Sequence, residues 1–253
     1  MEKRVFRFGK ITPRLAYVLG VYLGDGWASK RGGFGLFSID KELTDCIKCY
    51  CESFVGPTPE VKPRQYNKGF NGKGANGWVY EFHCPEFCSW LKDITKNKAI
   101  VPDVIPVTNS EITKNLCEGF IDAEGWVKKS TKKTCAYGHT YGMGVCNTNL
   151  DLLNGVVSRL EQVGVRHGKL HTIVRADRVK PEYFYNLVLQ DAVKSRLNLR
   201  TRRKAERLKE YASLNFKKPW NKGMTKEEIV AKIGHDYMKR NDLISTTTER
   251  QAP

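Results

Sequence analysis

Two segments of the chain carry one pattern. Val18-Leu19-Gly20-Val21-Tyr22-Leu23-Gly24-Asp25-Gly26 and Cys117-Glu118-Gly119-Phe120-Ile121-Asp122-Ala123-Glu124-Gly125 are apolar runs with small residues four apart. Each closes on an acid, a glycine and a tryptophan, Trp27 or Trp126. Small residues at i and i+4 share one helical face and let a second backbone approach closely. Taken singly, either segment reads as a buried helix ending in a glycine cap. The duplication decides otherwise, because repeats encode architecture. The spacing predicts two helices packed on these faces, with Asp25 and Glu124 side by side at one end. Two carboxylates held together without a base partner point to a divalent-cation site.

The repeat runs past these segments. Thr12-Pro13 places a capping residue before a proline at the first helical position. A helix to residue 25 is followed by a Gly-rich turn and an apolar strand over 34–39. A helix over 43–54 comes next, then alternating strands over 61–65 and 78–83 and a helix over 85–94. From Asn109 or Ser110 the order recurs: a helix to 124, strands over 127–131 and 141–146, a helix over 149–163, strands over 169–174 and 183–189, and a helix over 191–199. The fold class is therefore α+β, with two pseudo-symmetric αββαββα halves over residues 1–105 and 106–214. Residues 215–253 differ in character and read as a small basic C-terminal element or tail.

The chain has 43 Lys and Arg against 27 Asp and Glu, a net charge of +16 over 253 residues. Such an excess points to a polyanion, nucleic acid first and an anionic membrane second. No apolar run reaches the ~20 residues of a spanning helix, and Met1-Glu2-Lys3-Arg4-Val5-Phe6 does not read as a signal peptide. The expected setting is a cytoplasm, an organellar matrix or a phage-infected cell, with no membrane partner and no secretion. Of the eight cysteines, Cys46 and Cys49, and Cys84 and Cys88 beside His83, have spacings zinc could use. Cys46, Cys49 and Cys51 fall in a helix, however, where i and i+3 merely share a face, so no zinc is expected.

Gly119-Phe120-Ile121-Asp122-Ala123-Glu124-Gly125 closely resembles the LAGLIDADG motif of homing endonucleases. The first copy resembles it less, with Leu23 and Gly24 where that family has Asp-Ala. The resemblance extends from about Thr12 to Lys204 and implies a saddle of two four-stranded sheets. One monomer would do the work of a homodimer of single-motif chains. It implies site-specific cleavage of both strands of double-stranded DNA, with Mg²⁺ held by Asp25, Glu124 and the carbonyls of Gly24 and Ala123. Mn²⁺ should substitute in such an all-oxygen site. It also implies a basic residue near each metal pocket, after the last short helix of each half. Lys98 and Lys204 have that position as catalytic groups that organise water or stabilise charge.

By the same resemblance, the open sheet faces would read DNA. Lys62, Arg64, Tyr66, Tyr80 and Glu81 are candidates in one half, and Arg175, Arg178, Tyr183 and Asn186 in the other. Lys30, Arg31, Lys128, Lys129, Lys132 and Lys133 are expected in loops better suited to phosphates. The segment bearing Lys218, Trp220, Asn221 and Lys222 looks like the small DNA-binding modules appended to many homing endonucleases, and Thr225 to Glu228 reads as a capping box. The competing reading is a non-cleaving nucleic-acid-binding protein on the same scaffold, an intron maturase or a transcription regulator. Binding of intron RNA is compatible with either. An intein is not, because a splicing Cys or Ser at the start and His-Asn at the end are both lacking.

Overall fold

The computed structural model describes residue 6 and residues 10–66, 75–105, 110–131, 139–174 and 179–214. In the first half, α1 (Pro13–Leu23) leads to β1 (Trp27–Ala28), β2 (Gly33–Ser38), α2 (Lys41–Val55), β3 (Lys62–Tyr66), β4 (Ala75–His83) and α3 (Pro85–Thr95). The second half runs α4 (Ser110–Glu124), β5 (Gly125–Thr131), β6 (His139–Asn147), α5 (Leu150–Gln162), β7 (His167–Ile173), β8 (Glu182–Leu187), α6 (Leu189–Lys194) and α7 (Arg202–Ser213). Each half builds one antiparallel four-stranded sheet of the same order, β1-β2-β4-β3 and β5-β6-β8-β7. Among the described residues no helix is long and apolar enough to cross a membrane.

Local chemistry accounts for the starts of these helices. The Thr12 hydroxyl accepts from the Leu15 amide at 3.2 Å while Pro13, lacking an N–H, fills the first helical position. Residues Leu15 to Leu23 of α1 are all buried, as expected of a helix apolar on every side. Across it lies α4, whose Leu116, Phe120 and Ile121 are fully buried in the same core. That core also takes Phe34, Leu36, Tyr80 and Phe82 from one sheet and Met143, Val145 and Leu187 from the other.

The last helices depart from the pattern. A helix over 191–199 is expected from the sequence, but α6 stops at Lys194 and Arg196 turns left-handed, with φ 51°. The chain from Asn198 to Thr201 then runs along α4 and gives backbone amides to two buried acids. Asn198 N donates to Glu118 at 2.7 Å, and Arg200 N and Thr201 N donate to Asp122 at 2.7 and 3.2 Å. Buried carboxylates without donors are costly, so their demand overrides helix propensity. After it comes α7, a helix beyond those expected from the sequence, although Ala205, Leu208 and Ala212 recur along it at helical spacing.

Candidate metal centre and nucleic-acid interface

The crossing of α1 and α4 sets the site. A Cβ on Gly20 would lie 2.7 Å from the Phe120 amide nitrogen, and one on Gly119 would lie 3.1 Å from that of Val21. Only glycine lets the two backbones meet here. One turn later a Cβ on Gly24 would reach the Glu124 Cγ at 2.8 Å, so the helix ends abut. Asp25 and Glu124 therefore leave adjoining ends. Burial raises the Asp25 carboxyl, against the pull of Lys204 and Lys98, although its residue keeps an exposed surface. Burial, then the charges of Asp25 and Glu182, pushes Glu124 up to about 7, against Lys98 and Lys204.

Each helix end also receives a lysine. Lys98 lies just beyond α3, in a turn where Lys96, Asn97 and Lys98 have φ of 46°, 57° and 68°. Three consecutive non-glycine residues in the left-handed region each cost roughly 1–3 kcal/mol, which the surrounding contacts must offset. The turn carries the Lys98 ammonium to the end of α1, where it donates to the Gly24 carbonyl and, at 3.2 Å, to that of Gly26. Lys204, 2% exposed in the first turn of α7, donates to the Ile121 and Asp122 carbonyls at 2.8 and 2.7 Å. Cations suit these carbonyl-rich helix ends. Burial depresses both amines, Lys204 to about 8, against the acids around them.

Asp122 has a different task from Glu124, two residues on. Besides the amides of Arg200 and Thr201 it accepts from the Tyr17 hydroxyl at 2.6 Å. The Arg200 guanidinium bonds Glu118, donates to Asn115 at 2.9 Å, and lies 4.4 Å over the Tyr17 ring. This cluster straps the chain ahead of Lys204 onto α4. It is the part of the site most easily overlooked in sequence, yet Asn115, Glu118 and Asp122 recur three and four residues apart, a polar stripe on one helix face.

The donor set fits a hard cation. Among the described residues no group of three or more His, Cys, Asp or Glu side chains is arranged to hold a metal ion. Magnesium, however, needs only one or two carboxylates when waters and substrate phosphate complete its shell. Burial raises both carboxyls and the Asp25 charge raises Glu124 further, an imbalance such an ion relieves. The Gly24 oxygen already accepts from Lys98, but a carbonyl has a second lone pair to give.

Strand register separates the proposed DNA contacts. Lys62 pairs with Val79, Arg64 with Gly77 and Glu81 with Gly35, which places them on the face opposite Phe34, Leu36 and the core. Trp27 lies over Gly35 on that face, and Trp126 lies over Gly144 on the other sheet. Lys128 and Asn186 share the open face of the second sheet, Lys128 with its ammonium 5.1 Å from the Trp126 ring. Lys30 and Arg31 are exposed between β1 and β2. Tyr66 ends β3 in register with Ala75.

Three candidates are corrected. Tyr80 is fully buried on the core face, its hydroxyl donating to Thr58 at 2.9 Å. Tyr183 shares the helix-side face with Tyr185 and packs against the core. Lys129 turns toward α7, where it pairs with Glu210, and it and Lys128 lie within β5 rather than a loop. Arg175, Arg178, Lys132, Lys133, Lys218, Trp220, Asn221 and Lys222 lie outside the described residues.

No protein-family model and no curated protein sequence matches the chain. Among solved structures, full-length DUF199/WhiA from Thermatoga maritima is similar at 10% identity and a TM-score of 0.51, over 93% of this chain and 70% of that one. The homing endonuclease I-DmoI in complex with DNA and Mn is similar at 17% identity and a TM-score of 0.45, over 73% and 94%. The I-SmaMI LAGLIDADG homing endonuclease bound to cleaved DNA gives 10% and 0.44, over 82% and 88%. What is shared is the fold: two four-stranded antiparallel sheets about a helix pair, the LAGLIDADG architecture.

Proposed function

We propose that the chain is a site-specific endonuclease that hydrolyses a phosphodiester bond in each strand of a long double-stranded DNA target. The observation that carries this reading is the meeting of Asp25 and Glu124 at adjoining helix ends, each end furnished with a buried or half-buried lysine. Asp25 and Glu124 would hold Mg²⁺, or Mn²⁺ in its place, with help from the Gly24 and Ala123 carbonyls. Such an ion supplies an acidified water and neutralises charge on the transferring phosphoryl group. Lys98 and Lys204 carry positive charge to the same place, where they orient water and offset the charge that develops on phosphate oxygens. The open sheet faces would take the duplex, with Lys62, Arg64 and Asn186 directed at base edges and Lys30, Arg31 and Lys128 at phosphates. One chain supplies both halves, so a monomer suffices.

The test is to incubate the protein with a randomised duplex library and Mg²⁺, then sequence the ends. Recurrent paired cuts at one sequence support the reading. A non-cleaving nucleic-acid-binding protein on the same scaffold, the second reading, has no need of the acid pair; binding without cuts in either Mg²⁺ or Mn²⁺ would select it.

Two further outcomes are expected. The logarithm of affinity should fall against the logarithm of salt with a slope of roughly −6 to −10, as about seven to eleven neutralised phosphates dictate. A near-flat dependence on long duplex DNA would remove nucleic acid as the partner. If residues 215–253 are a DNA-binding element, deleting them should weaken binding and shorten the footprint on one side, leaving the cut position unchanged. An unaltered footprint would make the segment a tail only.

A further inference from the structure

The residues that precede α2 and α5 occupy the same place in the two halves, and both reach into the opposite half. Asp40, ahead of α2, accepts from Arg203 Nε at 2.9 and 3.1 Å and from its terminal nitrogen at 3.0 Å. Beside it the Glu42 carboxylate accepts from the Arg202 amide at 3.0 Å. These arginines immediately precede Lys204. Asn149, ahead of α5, divides its amide between two tasks. Its oxygen caps its own helix, accepting from Asp151 N and Leu152 N at 3.1 and 3.2 Å. Its nitrogen donates to the Ala99 and Lys98 carbonyls at 3.2 and 3.4 Å.

Each lysine is thus placed by its own half only in part. Within the first half, Lys98 follows a left-handed turn held by the Thr95 hydroxyl, which accepts from the Lys98 amide at 3.1 Å. Such a turn persists only where its surroundings over-determine it. The Ala99 amide of the same half donates to the Thr95 and Lys96 carbonyls at 2.9 and 3.3 Å, while the Lys98 and Ala99 carbonyls are held by Asn149. Lys204 sits at the head of α7, whose first turn is gripped by Asp40 and Glu42 of the first half. The arrangement is reciprocal although its chemistry differs, an ion pair on one side and an amide on two carbonyls on the other.

We propose that Asp40 and Asn149 form a reciprocal clasp in which the N-cap residue of each half positions the active-site lysine of the other. The inference rests on the endonuclease reading for its consequence but not for its structure. Asp40 and Asn149 are positioning residues, since each acts through the segment bearing a lysine. Their loss should therefore affect the two DNA strands unequally, and in opposite senses.

Two near-isosteric variants isolate the clasp. Asp40→Asn removes the charge that holds Arg203. Asn149→Asp keeps the oxygen that caps α5 and removes the donor to Lys98 and Ala99. Hydrogen exchange on the full chain comes first, because it needs no activity. Amides of residues 96–99 should exchange about tenfold faster in Asn149→Asp, and those of 202–205 in Asp40→Asn, each leaving the other segment unchanged. Strand-resolved, single-turnover cleavage follows. Each variant should slow one strand about tenfold, the two variants should slow opposite strands, and DNA affinity should hold. In a Lys204→Met background Asp40→Asn should add no further loss, and likewise Asn149→Asp in Lys98→Met. Unchanged exchange, equal slowing of both strands, or fully additive losses would overturn the clasp. If exchange responds locally while the unaltered chain cuts no DNA in Mg²⁺ or Mn²⁺, the clasp stands and the endonuclease reading falls.

Discussion

Single-turnover cleavage by Asp25→Asn or Glu124→Gln is expected to fall by about 10³-fold or more in Mg²⁺, while target binding persists. Each substitution keeps the size of the side chain and removes one negative charge from a pair whose proximity, with burial, raises Glu124 to about 7. A divalent ion losing an anionic ligand forfeits several kcal/mol of transition-state stabilisation, and about 4 kcal/mol corresponds to the stated factor. Binding should hold or tighten slightly, because a like charge facing phosphate is gone. The fold should not suffer, since removing one of two crowded carboxylates relieves repulsion, so thermal melting at neutral pH should be unchanged or higher. Both strands should be affected by either variant, because both acids serve the same junction of helix ends. Measuring binding, melting and strand-resolved cleavage together separates loss of chemistry from loss of fold. Full cleavage of both strands by either variant would reduce the helix pair to a packing core and move the catalytic centre elsewhere.

Much of this arrangement is legible in the sequence because it depends on local periodicity. The duplicated small-residue spacing announces the α1–α4 crossing, and the apolar and alternating runs announce every described strand except the two-residue β1 to within a few residues. The tyrosines show where local reading fails. Tyr80 alternates with Phe82, and Tyr183 with Tyr185 and Leu187, so the apolar partners on each strand already mark these as core-side positions. A tyrosine offers an apolar ring and a polar tip, which suits either face of a sheet. Only the residues that alternate with it along the strand decide between the faces. Lys129 is misread for another reason: its partner, Glu210, lies on α7, 81 residues away in sequence, so nothing near Lys129 marks the pairing. The shortened α6 is also non-local in origin. Its end is dictated by Glu118 and Asp122, two buried acids on α4 that need donors the chain supplies from Asn198 to Thr201. What can be read locally is therefore the scaffold and the acid pair, whereas the lysines depend on straps between distant segments.

The crossing itself gives the second large effect. Gly119→Ala should destabilise the protein by about 1–3 kcal/mol or more, the usual cost of overpacking a dense core. Its Cβ would press on the Tyr17 carbonyl and lie 3.1 Å from the Val21 amide, with backbone on both sides and no flexible side chain to give way. The helices can accommodate it only by moving apart. That movement also separates Asp25 from Glu124, so cleavage should fall by more than the folded fraction accounts for. Gly142→Ala is the matched control, since nothing lies within 4 Å of the position its Cβ would take. Urea unfolding should show a lowered midpoint for Gly119→Ala with an unchanged slope, and little change for Gly142→Ala. A Gly119→Ala protein that is as stable and as active as the unaltered chain would mean that the helices do not need glycine to meet. The small-residue spacing of the two segments would then no longer explain why their acids lie together.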